Sequence, residues 1–251
     1  MSKRFSNYDT NKGITMSKNN DMDKYNSAKK NTDIIDEAVT KADKTPDLLK
    51  LLAGFRESKL HMSYIKPEML PDIDLYMDQV TTFMDTHLSA SKRYKDDKIL
   101  TKTMINNYAK NNLLPPPEKK KYSKDHLLLL TFIYYLKSML SMNDIQSLLE
   151  PVKNNFFQNP EQSLGLEDIY REVFHCEEDI QKGIMDDILS KYEQSRKSFL
   201  SLEDNPEQQP ALQDFTFVCM LCYDIFLKKQ LVEQIIDTLH GSSEDSGSKK
   251  H

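Results

Sequence analysis

Residues 101–116, TKTMINNYAKNNLLPP, decide how this chain is read, together with YS at 122–123 and SMNDIQSLL at 141–149. Thr101 is the residue type that caps a helix by accepting a backbone N–H. Asn112 tolerates the left-handed conformation that ends one, just ahead of Pro115, Pro116 and Pro117, which cannot continue a helix. The spacing therefore predicts a helix from Thr101 to about Asn112. Met104, Ile105 and Tyr108 form its apolar side, leaving Lys102, Thr103, Asn106, Asn107 and Lys110 on the other. The prolines predict an extended exit, and Glu118 to Lys121 a short charged turn. Ser123 is then the cap of a helix running to about Leu140. Ser141 caps another, Met142 to Glu150, which Pro151 is expected to stop.

Working upstream, Asp74 is the expected N-cap of a helix to about Leu88, burying Leu75, Val80, Phe83, Met84 and Leu88. A polar loop, Ser89 to Lys98, follows it. Residues 46–70 read as a short docking helix and linker, with Leu48, Leu51, Leu52 and Phe55 forming a face that packs on the next domain. Residues 1–45 are poor in apolar side chains, a composition that predicts a disordered arm. Downstream, the region 160–240 is acidic and reads as two long helices, Leu166 to Leu200 and Leu212 to Leu239, joined at Asp204 to Pro210. Gly183 is expected to kink or split the first of them. Residues 241–251 read as a disordered polar tail. No internal repeat and no convincing strand run is visible, so the fold class expected is all-α.

The chain carries a formal net charge of −5, yet charge is not spread evenly. Ten basic residues against three acids between Ser91 and Lys124 give that segment about +7, and the remainder about −12. An isolated lysine cluster is usually no more than a solvated face; this one coincides with the capped helix. Six glycines without a phosphate-cradling pattern, and six histidines without ligand spacing, point away from a nucleotide-dependent or metal enzyme. Adjacent carboxylates such as Glu177 with Glu178, or Asp186 with Asp187, point to different parts of a helix surface. Neither enzymatic activity nor a cofactor is expected.

Cys219 and Cys222 have C-x-x-C spacing, but with Phe215, Val218, Leu221, Ile225 and Phe226 they read first as the buried stripe of a helix, and only second, with Cys176, as a metal or redox sensor. Three cysteines and no apolar run behind a charged start predict a cytoplasmic protein. The apolar runs Leu127 to Leu136 and Phe215 to Leu227 fall short of the roughly 18 residues a membrane span needs, so no membrane is expected as a partner.

The order of these elements, a capped helix ending in Tyr and a Leu-Leu-Pro exit, a wing, a Tyr-Ser start and a Ser-x-x-x-Ile-x-x-Leu-Leu helix, resembles the winged helix-turn-helix module of MerR-type transcription regulators. The whole chain also resembles the bacterial YkrK-like proteins, which carry a domain of unknown function with this core. The first resemblance implies a DNA-binding domain over 71–151, with the helix from Thr101 in the major groove of double-stranded DNA. Thr101, Lys102, Thr103, Asn106, Asn107 and Lys110 would contact DNA there, and Lys119, Lys120 and Lys121 would hold backbone from the wing. Tyr122 either bonds a phosphate or packs inward. The chain departs from the family in having Asn106 and Asn107 where Arg and an aromatic are common, and in a shorter wing. The resemblance further implies a homodimer, formed here by the C-terminal helices of 160–240. The rival reading is a non-catalytic protein-interaction adaptor using the same surface.

Overall fold

The computed structural model describes residues 47–59, 65–159, 161, 163–201 and 207–244. The expected arm over 1–45 lies outside the described residues, as does the expected tail over 241–251 except for 241–244, which continue the last helix and are not a disordered tail. In order along the chain come α1 (Asp47–Lys59), β1 (Leu75–Tyr76), α2 (Met77–His87), α3 (Lys102–Lys110), β2 (Lys121–Tyr122), α4 (Lys124–Leu136), α5 (Met142–Phe156), α6 (Leu166–Arg196) and α7 (Gln209–Glu244). The described residues are thus mostly helical.

Helix α4 is apolar all round, and a helix of that kind must be covered on every side. Leu127, Leu128, Leu129, Leu130 and Ile133 have no exposed surface. Around them pack Val80 and Met84 of α2, Ile105 and Tyr108 of α3, Ile145 and Leu149 of α5, and Tyr170 and Phe174 of α6. Each such leucine contributes about 1.5–3 kcal/mol by leaving water. Phe132 of α4 lies 5.2 Å from the Tyr170 ring and 5.8 Å from that of Phe174. Tyr170 also donates its hydroxyl to the Ile65 carbonyl at 2.8 Å, so the packed unit runs from Ile65 to Phe174.

A second core sits along the α6–α7 hairpin, where Met185, Leu189, Tyr192 and Phe217 bury Leu52 and Ala53 of α1. Gln213 donates to the carbonyls of Arg196 and Ser198, 2.9 Å each, and Arg196 pairs with Asp214. Further along, Ile236 of α7 joins the first core, so this one helix spans both.

Several expectations are corrected. Helix α1 packs on the α6–α7 hairpin, using Leu48, Leu49, Leu52 and Ala53; Leu51 and Phe55 of the expected face are exposed. Asp74 caps nothing: Tyr76 is the N-cap of α2, and Leu75–Tyr76 pair antiparallel with Tyr122 and Lys121, a short sheet the sequence reading did not contain. Helix α4 ends at Leu136, four residues early, although Leu140 still bonds the Leu136 carbonyl at 2.9 Å. Pro151 lies inside α5 and does not stop it. The missing N–H and ring clash cost about 3 kcal/mol in a helix interior. Val152 and Phe156, packed on the core, and Lys153, whose Nζ donates to the Asn112 carbonyl at 2.6 Å, offset that cost.

The stripe read as buried around Cys219 and Cys222 faces outward: both thiols are exposed, as is Cys176, and Phe215, Val218, Ile225 and Phe226 are each more than half exposed. The apolar segment is also longer than expected. Gln209–Leu239 is long and apolar enough to cross a membrane, by length and composition alone, and little of its most apolar window is buried.

Gly183 neither kinks nor splits α6, which runs unbroken for 31 residues. A Cβ placed there would meet nothing within 4 Å. Gly183→Ala should therefore stabilise the fold by up to about 1 kcal/mol, the helix-propensity difference, read as a higher denaturation midpoint. A lower midpoint would show that the glycine answers a packing need.

Candidate nucleic-acid interface

Helix α3 is anchored at both ends before its outer face has any role. Leu100 and Ile99 are buried ahead of it, and Thr101, in extended conformation, accepts the Met104 N–H on its hydroxyl at 3.2 Å. At the far end Asn112 is left-handed, with φ 56°, and the N–H groups of Leu113 and Leu114 both reach the Tyr108 carbonyl, at 2.9 and 3.2 Å. Leu113 and Leu114 then enter the core. The cation of Lys153 on the Asn112 carbonyl complements the negative end of the helix dipole.

This anchoring sorts the helix into two faces. Ile105 and Tyr108 are buried and Met104 is half-buried; Lys102, Thr103, Asn106, Asn107 and Lys110 are all exposed. Among the described residues, the side-chain amides of Asn106 and Asn107 make no hydrogen bond, so their donors and acceptors point to solvent. Two members of the expected set are engaged within the protein. Thr101 spends its hydroxyl on the cap, and Lys102 forms an ion pair with Asp78 of α2.

The wing is a hairpin. Glu118 and Lys121 form a bridge closed by the Lys121 N–H on the Glu118 carbonyl at 2.8 Å, and the two residues between them, Lys119 and Lys120, have φ of 47° and 66°. Both are left-handed, the geometry of the tight hairpin turn that usually takes Asn-Gly. Neither residue is glycine, so the turn holds about 1 kcal/mol of strain at each position in order to present two exposed lysines. Lys121 lies with its Nζ 5.4 Å from the centre of the Tyr76 ring.

Tyr122 packs its ring inward. It is 3% exposed, meets the His126 ring edge-on at 5.4 Å, and burial pushes its hydroxyl pKa up. His126 is the hinge of this corner. Its Nδ1 accepts the Ser123 N–H at 3.0 Å and lies 2.8 Å from the Ser123 hydroxyl, taking the role of the acid in a capping box. Phe157 covers its other side at 4.8 Å. Burial lowers the His126 pKa below its ordinary 6.5, although the carbonyls of Pro116 and Pro115 pull the other way.

The sequence reading missed Tyr76 and Tyr94. Both are exposed aromatic rings paired with a cation, Lys121 over the first and Arg93 over the second at 5.2 Å. The adjacency of Arg93 and Tyr94 was visible; the pairing of Tyr76 with Lys121 depends on the sheet. The basic island is also partly neutralised: Lys92 lies 2.8 Å from Asp85 and holds that carboxyl below its usual range. Among the described residues no group of His, Cys, Asp and Glu is placed to hold a metal ion.

Two outcomes follow. The unfolded chain takes up a proton at His126 near pH 6.5, before the folded one does. Its contribution to stability is therefore full above pH 6.5 and is lost as pH falls through the depressed folded value. The neighbouring Asp125, whose pKa burial raises, acts with the opposite sign in the carboxylate range. The denaturation midpoint should fall between pH 7 and 5, and His126→Gln should flatten that slope; an unchanged slope would rule out His126 as its source. Separately, replacing Lys119 and Lys120 by Asn and Gly should raise stability by about 1 kcal/mol by relieving left-handed strain. Calorimetry showing no gain would mean that the strain is relieved elsewhere.

Residues 65–173 match the family model of a domain of unknown function, DUF1836. No curated protein and no solved structure matches the chain. The matched segment coincides with the packed unit from Ile65 to Phe174, which takes in the first two turns of α6.

Proposed function

We propose that this chain is a dimeric, sequence-specific transcription regulator of MerR-like type, and that α3 enters the major groove of double-stranded DNA. The observation that carries the reading is the two-faced construction of α3. Every buried position on it is apolar, and its exposed face offers two asparagines with free amides, a threonine and two lysines. An asparagine amide can pair bidentately with adenine, a threonine can touch a thymine methyl, and lysines neutralise phosphate. The strained hairpin tip adds Lys119 and Lys120, whose exposed cations suit a backbone or minor-groove contact.

Charge supports the same reading. A segment of about +7 in a chain of −5 offers phosphate-neutralising groups in one place, while the acidic remainder limits binding elsewhere. Lys102 must exchange Asp78 for a phosphate, so its contribution to affinity is smaller than that of Lys110 or Lys119.

Selection of bound duplex from a random pool, repeated over a salt series, tests the reading. One enriched sequence is expected, with affinity falling steeply as salt rises. Asn106→Ala should relax base preference at one position by about 1–3 kcal/mol, whereas Lys119→Ala with Lys120→Ala should weaken all sequences alike. Absence of any enriched duplex would overturn the proposal in favour of a protein-interaction adaptor.

A further inference from the structure

The connection from α2 to α3 is held at both ends and open in the middle. At its start the Ser91 hydroxyl donates to the Leu88 carbonyl at 2.6 Å and meets the Tyr134 hydroxyl of α4, and Lys92 lies 2.8 Å from Asp85. At its end Ile99 and Leu100 are buried, and the Lys137 Nζ donates to the Ile99 carbonyl at 3.0 Å. Between these anchors a turn closes on itself. The Asp97 N–H reaches the Tyr94 carbonyl at 3.0 Å, and the Asp97 carboxylate accepts the Tyr94 N–H at 2.9 Å. Residues 93–98 of this turn are all exposed.

The turn carries a cation on a ring. The Arg93 guanidinium carbon lies 5.2 Å from the centre of the Tyr94 ring, within cation–π range, and Tyr94 is 62% exposed. Among the described residues no carboxylate pairs with Arg93, while Asp85 is engaged by Lys92 and Asp97 by the turn. A guanidinium set over a ring keeps its edge N–H groups free, and that fork matches two oxygens of a phosphate.

The loop also adjoins the first turn of α3. Where it returns, Lys98 lines one groove with Lys102 of α3 and with Thr82, Asp85 and Thr86 of α2. A helix of nine residues is about 13 Å long and the major groove of DNA about 12 Å wide, so chain entering such a helix comes in beside a sugar-phosphate strand.

We infer that Arg93 binds a backbone phosphate of the same DNA that α3 reads, just outside the groove, and that Tyr94 is its positioning residue. The inference rests on the DNA-binding reading of α3 and adds a contact that α3 and the wing do not supply. Because both ends of the loop are anchored in the free protein, little chain entropy is lost on binding. A phosphate contact fixes register without reading sequence. The loop therefore contributes affinity and orientation, and leaves base choice to Asn106 and Asn107.

The test uses the full chain and a duplex enriched by selection, titrated over a salt series beside an unrelated duplex. Arg93→Ala should weaken both duplexes by the same factor, on the order of tenfold, and reduce the salt slope by about 1. Arg93→Lys should keep the slope but recover only part of the affinity, since a point charge lacks the fork. Tyr94→Leu should cost affinity at an unchanged slope, whereas Tyr94→Phe, which keeps the ring, should match the wild type. Circular dichroism should be the same for all of these variants, because both positions are exposed. A neutral methylphosphonate moved singly along the enriched duplex should abolish the difference between wild type and Arg93→Ala at one position flanking the bases that α3 reads. The absence of such a position, or an unchanged slope in Arg93→Ala, overturns the inference while the reading of α3 stands. So does a loss no greater than that of Lys197→Ala, an exposed lysine at the end of α6. A wild-type chain that binds no duplex overturns both.

Discussion

Four leucines in succession, Leu127 to Leu130, impose the main constraint on this protein. Successive helix residues point about 100° apart, so four in a row sweep most of the way round the axis, and all four are without exposed surface. A helix so placed cannot lie on a surface. Something must cover each side, and α2, α3, α5 and α6 are what the chain supplies. The start of α4 is fixed with equal firmness. Ser123 and His126 close its first turn, and Tyr122 and Phe157 hold the imidazole from two directions. The wing leaves the core at the point where the central helix begins. Its lysines are therefore projected from a corner that packing and the Ser123–His126 cap hold in place.

The outer face of α3 follows from that enclosure. Ile105 and Tyr108 must fill space against α4, which fixes the rotation of a nine-residue helix and leaves Asn106, Asn107 and Lys110 no inward option. Its two ends are held by different parts of the molecule. Thr101 caps the first locally. The last rests on Lys153, which is within reach only because α5 continues past Pro151. Helix α7 packs on α5 and contributes Ile236 to the same core. A physical path of packed elements thus runs from the C-terminal hairpin through α5 to the end of α3.

What could be read in the sequence was what short-range chemistry decides. Thr101, Ser141 and Asn112 act within three or four residues of themselves, and they stand where their types and spacing place them. The division of α3 into faces was legible for the same reason. Elements decided by distant partners were not. Leu75 and Tyr76 look like the first turn of a helix until Lys121 and Tyr122 pair with them. Pro151 reads as a stop unless Val152, Lys153 and Phe156 are known to have something to hold. The stripe of Phe215, Val218 and Ile225 has the pattern of a buried face. Periodicity locates such a face without saying whether its own chain covers it, and here α6 takes the adjoining side.

That last case explains an oddity of composition. A chain that buries one side of a 36-residue helix and leaves an apolar stripe beside it exposes neighbouring hydrophobic side chains, Phe215, Val218, Ile225 and Phe226, of the kind that mark an interaction surface. Acidic residues around the stripe, Asp214, Asp224, Glu233 and Asp237, raise its solubility. Lys228 and Lys229 interrupt those acids, and Lys229 lies within the stripe itself, between Ile225 and Val232.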